Sequence, residues 1–535
     1  MHLSKSKRYI SSILTGLLLV VSFPNTGSLA PVALLALAPL LMVEHYIYEK
    51  RYRNQKVFTH AFISFLIFNF GTAWWIMNAE FWSAFAGLFL NSALMATFFQ
   101  FFVWTKRFIG QKEGYIGFVF YWLALEYFHL NWDFSFPWLN LGNVFSTTPS
   151  IIQWYSYSGT LGGTLWILLS NLLVFKIIYN LFIKKEKFRI QTPLIWLLSV
   201  LIVLPLTYSI ISYIGKDGQI NTLNKSEVII TQPNIDPYSE KWTLGIKEQL
   251  NTFLSLADSL VTEKTDFVLA PETAIAYAQN EDKFQESSIY EYINNKVQNW
   301  QNASLLTGVS TYRYFQEKQS IASIFLPKRK EFLEQYNSSL MMDKNPPRFI
   351  HKSKLVMGAE MIPFEQYFPF LGDLAIDNGG PKGTLGVEKE AKIFQSKGVR
   401  IAPVVCYESV YGDWISQQCR KGAQAIFIIT NDAWWGDTPG YRQHLNFARL
   451  RAIENNRWVA RSANTGSSAI INSRGDIVKQ TKYNTRTAIK GNIALNSDVT
   501  FYTTYGDVIG RSSAFAFFLI LLFTGVKYIR KLKDF

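Results

Sequence analysis

The sequence predicts a polytopic α-helical membrane protein that carries one large α/β domain. Three observations carry that expectation. Of 535 residues, 49% are hydrophobic and 16% aromatic while only 17% are charged, too apolar for a soluble chain of this length. Apolar segments approaching the roughly 20 residues that cross a bilayer as helix recur up to position 214, and one more lies near 511–528. Between them, over about 225–500, short apolar runs alternate with helical stretches.

Ile10 to Phe23, behind Lys5-Ser6-Lys7-Arg8, reads either as a signal peptide cut after Ser28-Leu29-Ala30 or as the first membrane helix. Pro31 just past the cut, and the apolar segments that follow, favour the helix. Further helices are expected at 30–48, 58–78, 83–105, 114–130, 160–182 and 192–214, which makes residues 1–214 a membrane domain of seven helices; 511–528 adds an eighth. Lys50-Arg51-Tyr52-Arg53 with Lys56, Lys106-Arg107 with Lys112, and Lys184-Lys185 with Lys187 and Arg189 occupy alternate linkers. The intervening linkers 24–29, 79–82 and 131–158 contain neither Lys nor Arg. The positive-inside rule then places both termini in the cytoplasm and residues 215–510 outside. Lys527, Arg530, Lys531 and Lys533 follow the last helix, as that orientation requires. The net charge of +14 is therefore distributed as in a membrane protein, and nucleic acid is not expected as a partner.

The outer linker 131–158 is aromatic: Phe134-Ser135-Phe136-Pro137-Trp138-Leu139-Asn140-Leu141-Gly142 and Trp154-Tyr155-Ser156-Tyr157. Such segments settle at a bilayer interface, as an aromatic belt or as the rim of a lipid portal. Glu126 and His129 precede it at or near membrane depth, where an ionisable group needs a partner or a function.

From Glu227 onward, strands are expected at Val228–Thr231, Phe267–Leu269, Leu305–Val309, Ser323–Leu326, Val399–Val405, Ala425–Thr430 and Ser468–Ile471, with helices at 244–263 and 440–456. This alternation implies a mixed sheet layered with helices. Two cysteines exclude a disulfide framework.

The chemistry gathers where apolar runs stop. Val399 to Val405 ends at Cys406-Tyr407-Glu408, Phe267-Val268-Leu269-Ala270-Pro271 ends at Glu272, and His351-Lys352-Ser353-Lys354-Leu355 precedes Glu360. A nucleophilic thiol needs a base and an oxyanion donor, and these residues supply both. Glu272, Lys352 and Cys406, in this order and followed by Asn431-Asp432-Ala433-Trp434-Trp435-Gly436, resemble the triad and following loop of the nitrilase (carbon–nitrogen hydrolase) superfamily. With the helices on either side, and with Lys241-Trp242, Phe136-Pro137-Trp138 and Leu141-Gly142, the chain resembles the apolipoprotein N-acyltransferases of bacterial inner membranes over nearly its whole length. Met357-Gly358-Ala359-Glu360 and Ala270-Pro271-Glu272 depart from the family's usual wording but keep the carboxylates.

The resemblance implies an αββα sandwich at 225–500 on the periplasmic side of an inner-membrane protein. It also implies transfer of an acyl chain from a phospholipid, with phosphatidylethanolamine the expected donor, through a Cys406 thioester. The acceptor would be the α-amine of a diacylglyceryl lipoprotein. Glu272 is then the base, Lys352 and the Tyr407 N–H stabilise the oxyanion, Glu360 and Glu408 hold Lys352, and Trp242 supports the site. A monomer without metal or cofactor is expected. Lys354 competes with Lys352 for the lysine role, Cys419 sits on what reads as a polar helical surface, and His444 reads as structural or solvated. Two other functions stay open: a membrane-anchored amidase that uses water as acceptor, and a non-catalytic lipoprotein-binding scaffold.

Reporter fusions at Lys187 and near Asn224 should report cytoplasm and exterior respectively. A cytoplasmic signal from the second site overturns the orientation.

Overall fold

In hydrocarbon a backbone satisfies its own polar groups only as a helix or closed barrel, and the apolar segments here are helical throughout. The computed structural model describes residues 3–241, 243–368 and 383–533. The chain divides into two units, Met1–Ile214 with Asp507–Phe535, and Gly215–Gly506. In the first lie α1 (Lys5–Ser22), α2 (Ala38–Glu49), α3 (Gln55–Ala73), α4 (Phe81–Phe108), α5 (Gln111–His129) and α6 (Tyr155–Ile178). Helix α7 (Phe188–Thr222) leads out of it, and a closing helix, Val508–Lys533, ends the chain. Among the described residues six helical stretches are long and apolar enough to cross a membrane: Ala30–Glu49, Gln55–Asn78, Phe81–Phe108, Tyr155–Ile183, Phe188–Lys216 and Val508–Lys531. Helices α1 and α5 form where expected but stand outside this set, with 18 and 19 residues and charged first turns.

The linker between α5 and α6 is folded into short 3-10 turns, Pro137–Leu139, Leu141–Thr147 and Pro149–Ile151, with Trp138, Leu141 and Phe145 buried. Glu126 holds it in place. Its Oε1 accepts from Trp122 Nε1 at 2.9 Å and from the Leu141 N–H at 2.8 Å, and its Oε2 accepts from Thr164 Oγ1 at 2.5 Å. His129 Nδ1 donates to the Phe134 carbonyl at 3.2 Å. Gly142 leaves space for the start of α6, since a Cβ there would lie 1.9 Å from the Thr160 carbonyl oxygen. Both ionisable groups of this region are thus hydrogen-bonded into the packing.

The second unit is built on two sheets. Its strands are β1 (Lys225–Gln232), β2 (Thr265–Leu269), β3 (Ile275–Asn280), β4 (Ser304–Phe315), β5 (Ile324–Leu326), β6 (Glu331–Met342), β7 (Arg348–His351), β8 (Phe394–Ser396), β9 (Val399–Val405), β10 (Ala425–Thr430), β11 (Trp458–Ala463), β12 (Ala469–Ile471), β13 (Ile477–Gln480) and β14 (Thr487–Ala494). One sheet runs β14-β1-β2-β4-β6-β5, with β3 beside β4 and β7 beside β6; the other runs β13-β12-β11-β10-β9-β8. At the centre of each, β1, β2 and β4, and β9, β10 and β11, are parallel.

Alternation along the strands makes the layers. Val228, Ile230, Phe267 and Leu269 enter one core together with Ile401, Val405, Phe427 and Ile429 of the other sheet. Their neighbours Ile229, Val268 and Leu305 face α8 (Ile246–Asp258) and α9 (Ser288–Asn299). Ala402, Val404, Ile426 and Ile428 face α10 (Gly412–Arg420) and α11 (Pro439–Asn455). The result is the expected αββα sandwich, and central strands buried on both faces explain their unbroken apolar runs. Several strands lie outside the sequence expectation, β6 and β11 among them. Their polar residues (Glu334, Asn337, Arg461) break the apolar pattern yet are buried.

Replacing Glu126 by Ala would orphan three buried donors, each costing about 1–3 kcal/mol. We expect Glu126→Ala to lower the thermal midpoint of the detergent-solubilised protein clearly more than Glu126→Gln does. Equal midpoints for both variants and the wild type would refute the pinning role.

Candidate active site

Three chain segments deliver the polar groups. Strand β9 ends because Cys406 takes a left-handed backbone, φ +50°, which is strained for any residue that carries a Cβ. The chain then turns through a short 3-10 segment, Cys406–Val410. Glu408 fastens that turn: its Oε2 accepts from the Val405 N–H at 2.8 Å and its Oε1 from the Ser353 N–H at 2.6 Å. Glu272 follows β2, and the strand beside it must be bare at Gly308, where a Cβ would lie 2.5 Å from the Glu272 Cα. Lys352 follows β7, its N–H donating to the Asn337 carbonyl at 2.8 Å. That backbone bond carries the β6–β7 pairing one residue further and sets the Lys352 side chain at the end of the sheet.

The three side chains meet. Lys352 Nζ lies 3.1 Å from Glu272 Oε1 and 2.8 Å from Glu360 Oε2. Asn337 Nδ2 donates to Glu272 Oε1 and to Glu360 Oε1, each at 2.8 Å. The Asn431 N–H donates to Glu272 Oε2 at 3.1 Å, and the buried Cys406 thiol lies close enough to feel the charge of the same carboxylate. Lys354, by contrast, lies over the Tyr411 ring at 5.2 Å.

Burial and charge act against each other here. Burial works to raise the Glu272 carboxyl, but Lys352, Asn337 and Cys406 outweigh it and hold it below the usual range. Burial works to lower Lys352, yet Glu272, Glu360 and Cys406 drive it well above its ordinary value. The Cys406 thiol is pushed up, first by burial and then by Glu272, with Lys352 opposing. The resting site is therefore a carboxylate, an ammonium and a protonated thiol. Burial raises Glu408 to about 7, against the two N–H groups that it accepts.

A second network lies under Cys406. His444 is fully buried, with Nδ1 2.8 Å from Asp432 Oδ1 and Nε2 2.7 Å from Ser409 Oγ and 3.2 Å from the Cys406 carbonyl. Arg461 donates to Asp432 Oδ2 at 2.6 Å. Burial works to raise Asp432, but Arg461 and His444 prevail and hold it at about 2.

Glu272, Lys352, Cys406 and Glu360 are thus one cluster. Glu408 accepts from the Ser353 N–H beside Lys352 and acts on the ammonium by charge, while Glu360 is the carboxylate in direct contact with it. Tyr407 is buried beside Tyr411, ring centroids 5.4 Å apart. Trp242 lies outside the described residues. Cys419 is fully buried between α10 and the sheet and not on a polar surface, because it shares the inward face of α10 with Ile415. Asn337 was not legible, since β6 does not read as a strand; the Asp432–His444–Arg461 network joins residues far apart in sequence.

Two sheets sandwiched between helices, with a Cys, a Lys and a Glu at the strand ends, define a carbon–nitrogen hydrolase domain, and the family model of that description, carbon-nitrogen hydrolase, matches residues 228–498. The model of the apolipoprotein N-acyltransferase N-terminal domain matches residues 15–173. A protein of Chlorobaculum tepidum named apolipoprotein N-acyltransferase is 31% identical, covering 94% of each chain. One of the same name from Geobacter metallireducens is 26% identical over 94% of this chain and 92% of its own. The chain belongs to the apolipoprotein N-acyltransferase family.

The geometry separates the two lysines. Lys352→Ala should lower turnover by about 10²–10³, the usual cost of an oxyanion donor, while Lys354→Ala stays within a few-fold of wild type. The reverse pattern in steady-state rates would assign the role to Lys354.

Proposed function

We propose that the protein transfers an acyl chain from a phospholipid, with phosphatidylethanolamine the expected donor, to the α-amine of the N-terminal diacylglyceryl-cysteine of lipoproteins. The observation that carries the reading is the buried Cys406 thiol clustered with a Glu272 carboxylate that Lys352, 3.1 Å away, keeps ionised. Family membership supports acyl transfer over the amidase alternative.

Glu272 takes the thiol proton as Cys406 Sγ attacks the ester carbonyl. Lys352 and the Tyr407 N–H receive the oxyanion. The ester C–O bond breaks, Glu272 returns the proton to the departing lysophospholipid oxygen, and a thioester remains. The acceptor amine then attacks the thioester, Glu272 accepts its proton, and the C–S bond breaks to leave an amide. The thiolate recovers the proton from Glu272. Two substrates thus use one site in turn, and water is kept out because it would hydrolyse the thioester. The positive-inside pattern supports a periplasmic site with both termini cytoplasmic, and the chain is proposed to act as a monomer.

Phospholipid alone should add one acyl mass to the peptide containing Cys406, and a diacylated lipopeptide should discharge it as a triacylated product. Cys419→Ser should retain activity; Cys406→Ser should not turn over, because a serine hydroxyl is far less acidic. An adduct on Cys419, or free fatty acid as the main product, would refute the mechanism.

A further inference from the structure

The sheet that carries Glu272 and Asn337 does not end at the site. Strand β3 pairs with β4 only as far as Tyr312, whereas β4 and β6 stay paired to Phe315 and Phe332, with β5 beyond. From Gly308, beside Glu272, to Phe315 the strand advances about 23 Å at the ~3.3 Å rise of a strand. A three-stranded ribbon therefore projects from the end of the sheet that holds the site.

Toward its tip the ribbon carries one apolar row on each face, and the next row inward, Arg313 opposite Glu334, is charged. Phe315, Phe332 and Phe325 lie directly opposite one another across three strands and so share one face. Tyr314, Leu333 and Ile324 form the next row and share the other face. Ile324 is 49% and Phe325 52% exposed, and Phe325 packs only partly on Phe332, ring centroids 5.1 Å apart. A ribbon inside a sandwich has one wet face or none; apolar rows on both faces fit a medium that is itself apolar. The turn joining β5 to β6 carries Lys328-Arg329-Lys330, all exposed, with the Arg329 guanidinium 4.3 Å over the Tyr314 ring. Aromatic rows edged by consecutive cations are the pattern of a segment that enters the interface of an anionic bilayer.

We propose that this ribbon, residues 313–334, docks into the headgroup region of a bilayer containing anionic phospholipid, and so brings the site to the surface from which its donor is drawn. The proposal rests on the phospholipid reading of the site. In it, Phe325 and Ile324 enter the acyl boundary, and Lys328, Arg329 and Lys330 hold the phosphates.

The test uses the full chain in nanodiscs with Phe325 replaced by photoreactive benzoyl-phenylalanine, and, as a control, the same group at exposed Lys247 on α8. Illumination should give a phospholipid adduct at 325, several-fold stronger with anionic lipid than with zwitterionic lipid alone, and none at 247. No adduct at 325, or equal adducts at both positions, overturns the proposal; so does a protein adduct at 325 in whole cells in place of lipid, which would make the ribbon a protein-docking surface. Combined Lys328→Glu, Arg329→Glu and Lys330→Glu should raise KM for bilayer phospholipid about tenfold with kcat unchanged, and leave the reaction with detergent-dispersed donor unaltered. An unchanged KM refutes the role of the basic turn. Crosslinking needs no turnover, so loss of the lipid adduct in a protein that still transfers acyl groups rejects the ribbon alone, whereas an adduct without acyl transfer rejects the functional reading alone.

Discussion

A carboxylate buried at the edge of an apolar core is the constraint on which the site depends. An isolated ion there would cost far more than a domain's whole stability, so the charge must be paired or neutralised. Lys352 pairs it, with Glu360 on the other side of the ammonium. The buried Lys241 acts on the same carboxylate by charge, and Asn337 and the Asn431 N–H donate to it. The arrangement has a chemical consequence. In the proposed mechanism, passing the Cys406 proton to Glu272 moves a negative charge from oxygen to sulfur without changing the total, so Lys352 would stabilise both ends of the transfer. Burial raises the resting thiol, which would protect it in the oxidising periplasm proposed for it.

The Cys406 backbone is also held mechanically. A left-handed cysteine persists only where its surroundings over-determine it. Here Glu408 takes the Val405 N–H on one side, while Ser409 and His444 lie against the Cys406 carbonyl on the other. His444 is itself held by Asp432, and Asp432 by Arg461. The low value of Asp432 keeps its carboxylate ionised against Arg461, so the strained turn stands on fixed charges.

The membrane unit follows the same rule in a medium that is less forgiving. Glu126 accepts three hydrogen bonds and ties two helices to the folded linker between α5 and α6. Near the opposite ends of the helices, Lys106 meets Glu44 at 2.6 Å, with Tyr115 Oη at 3.0 Å, all within the packing. Polar groups there join segments that apolar contact alone would leave free to slide, since lipid tails compete equally for apolar faces.

Much of this was written in local pattern. Helices that must cross a bilayer are long and apolar whatever their neighbours, so their positions could be read one at a time. Central strands buried on both faces are apolar throughout, which is why β1, β2, β9 and β10 were legible and why Glu272 and Cys406 stood out as the points where such runs stop. The edge and polar strands were not legible. In β6, Glu334 and Asn337 are polar residues inside the protein, and only the pairing with β4 and β7 makes that segment a strand. Cys419 looked exposed because its neighbours in sequence are polar, but a helix turns successive side chains onto different faces and put that one in the core. Lys352 and Lys354 competed for one role until β7 aimed the first at Glu272 and left the other over Tyr411. Sequence determines what each segment can bury; which polar groups then share one charge is settled by long-range packing, because partners such as Glu272 and Lys352 are brought together only by the pairing of strands far apart in the chain.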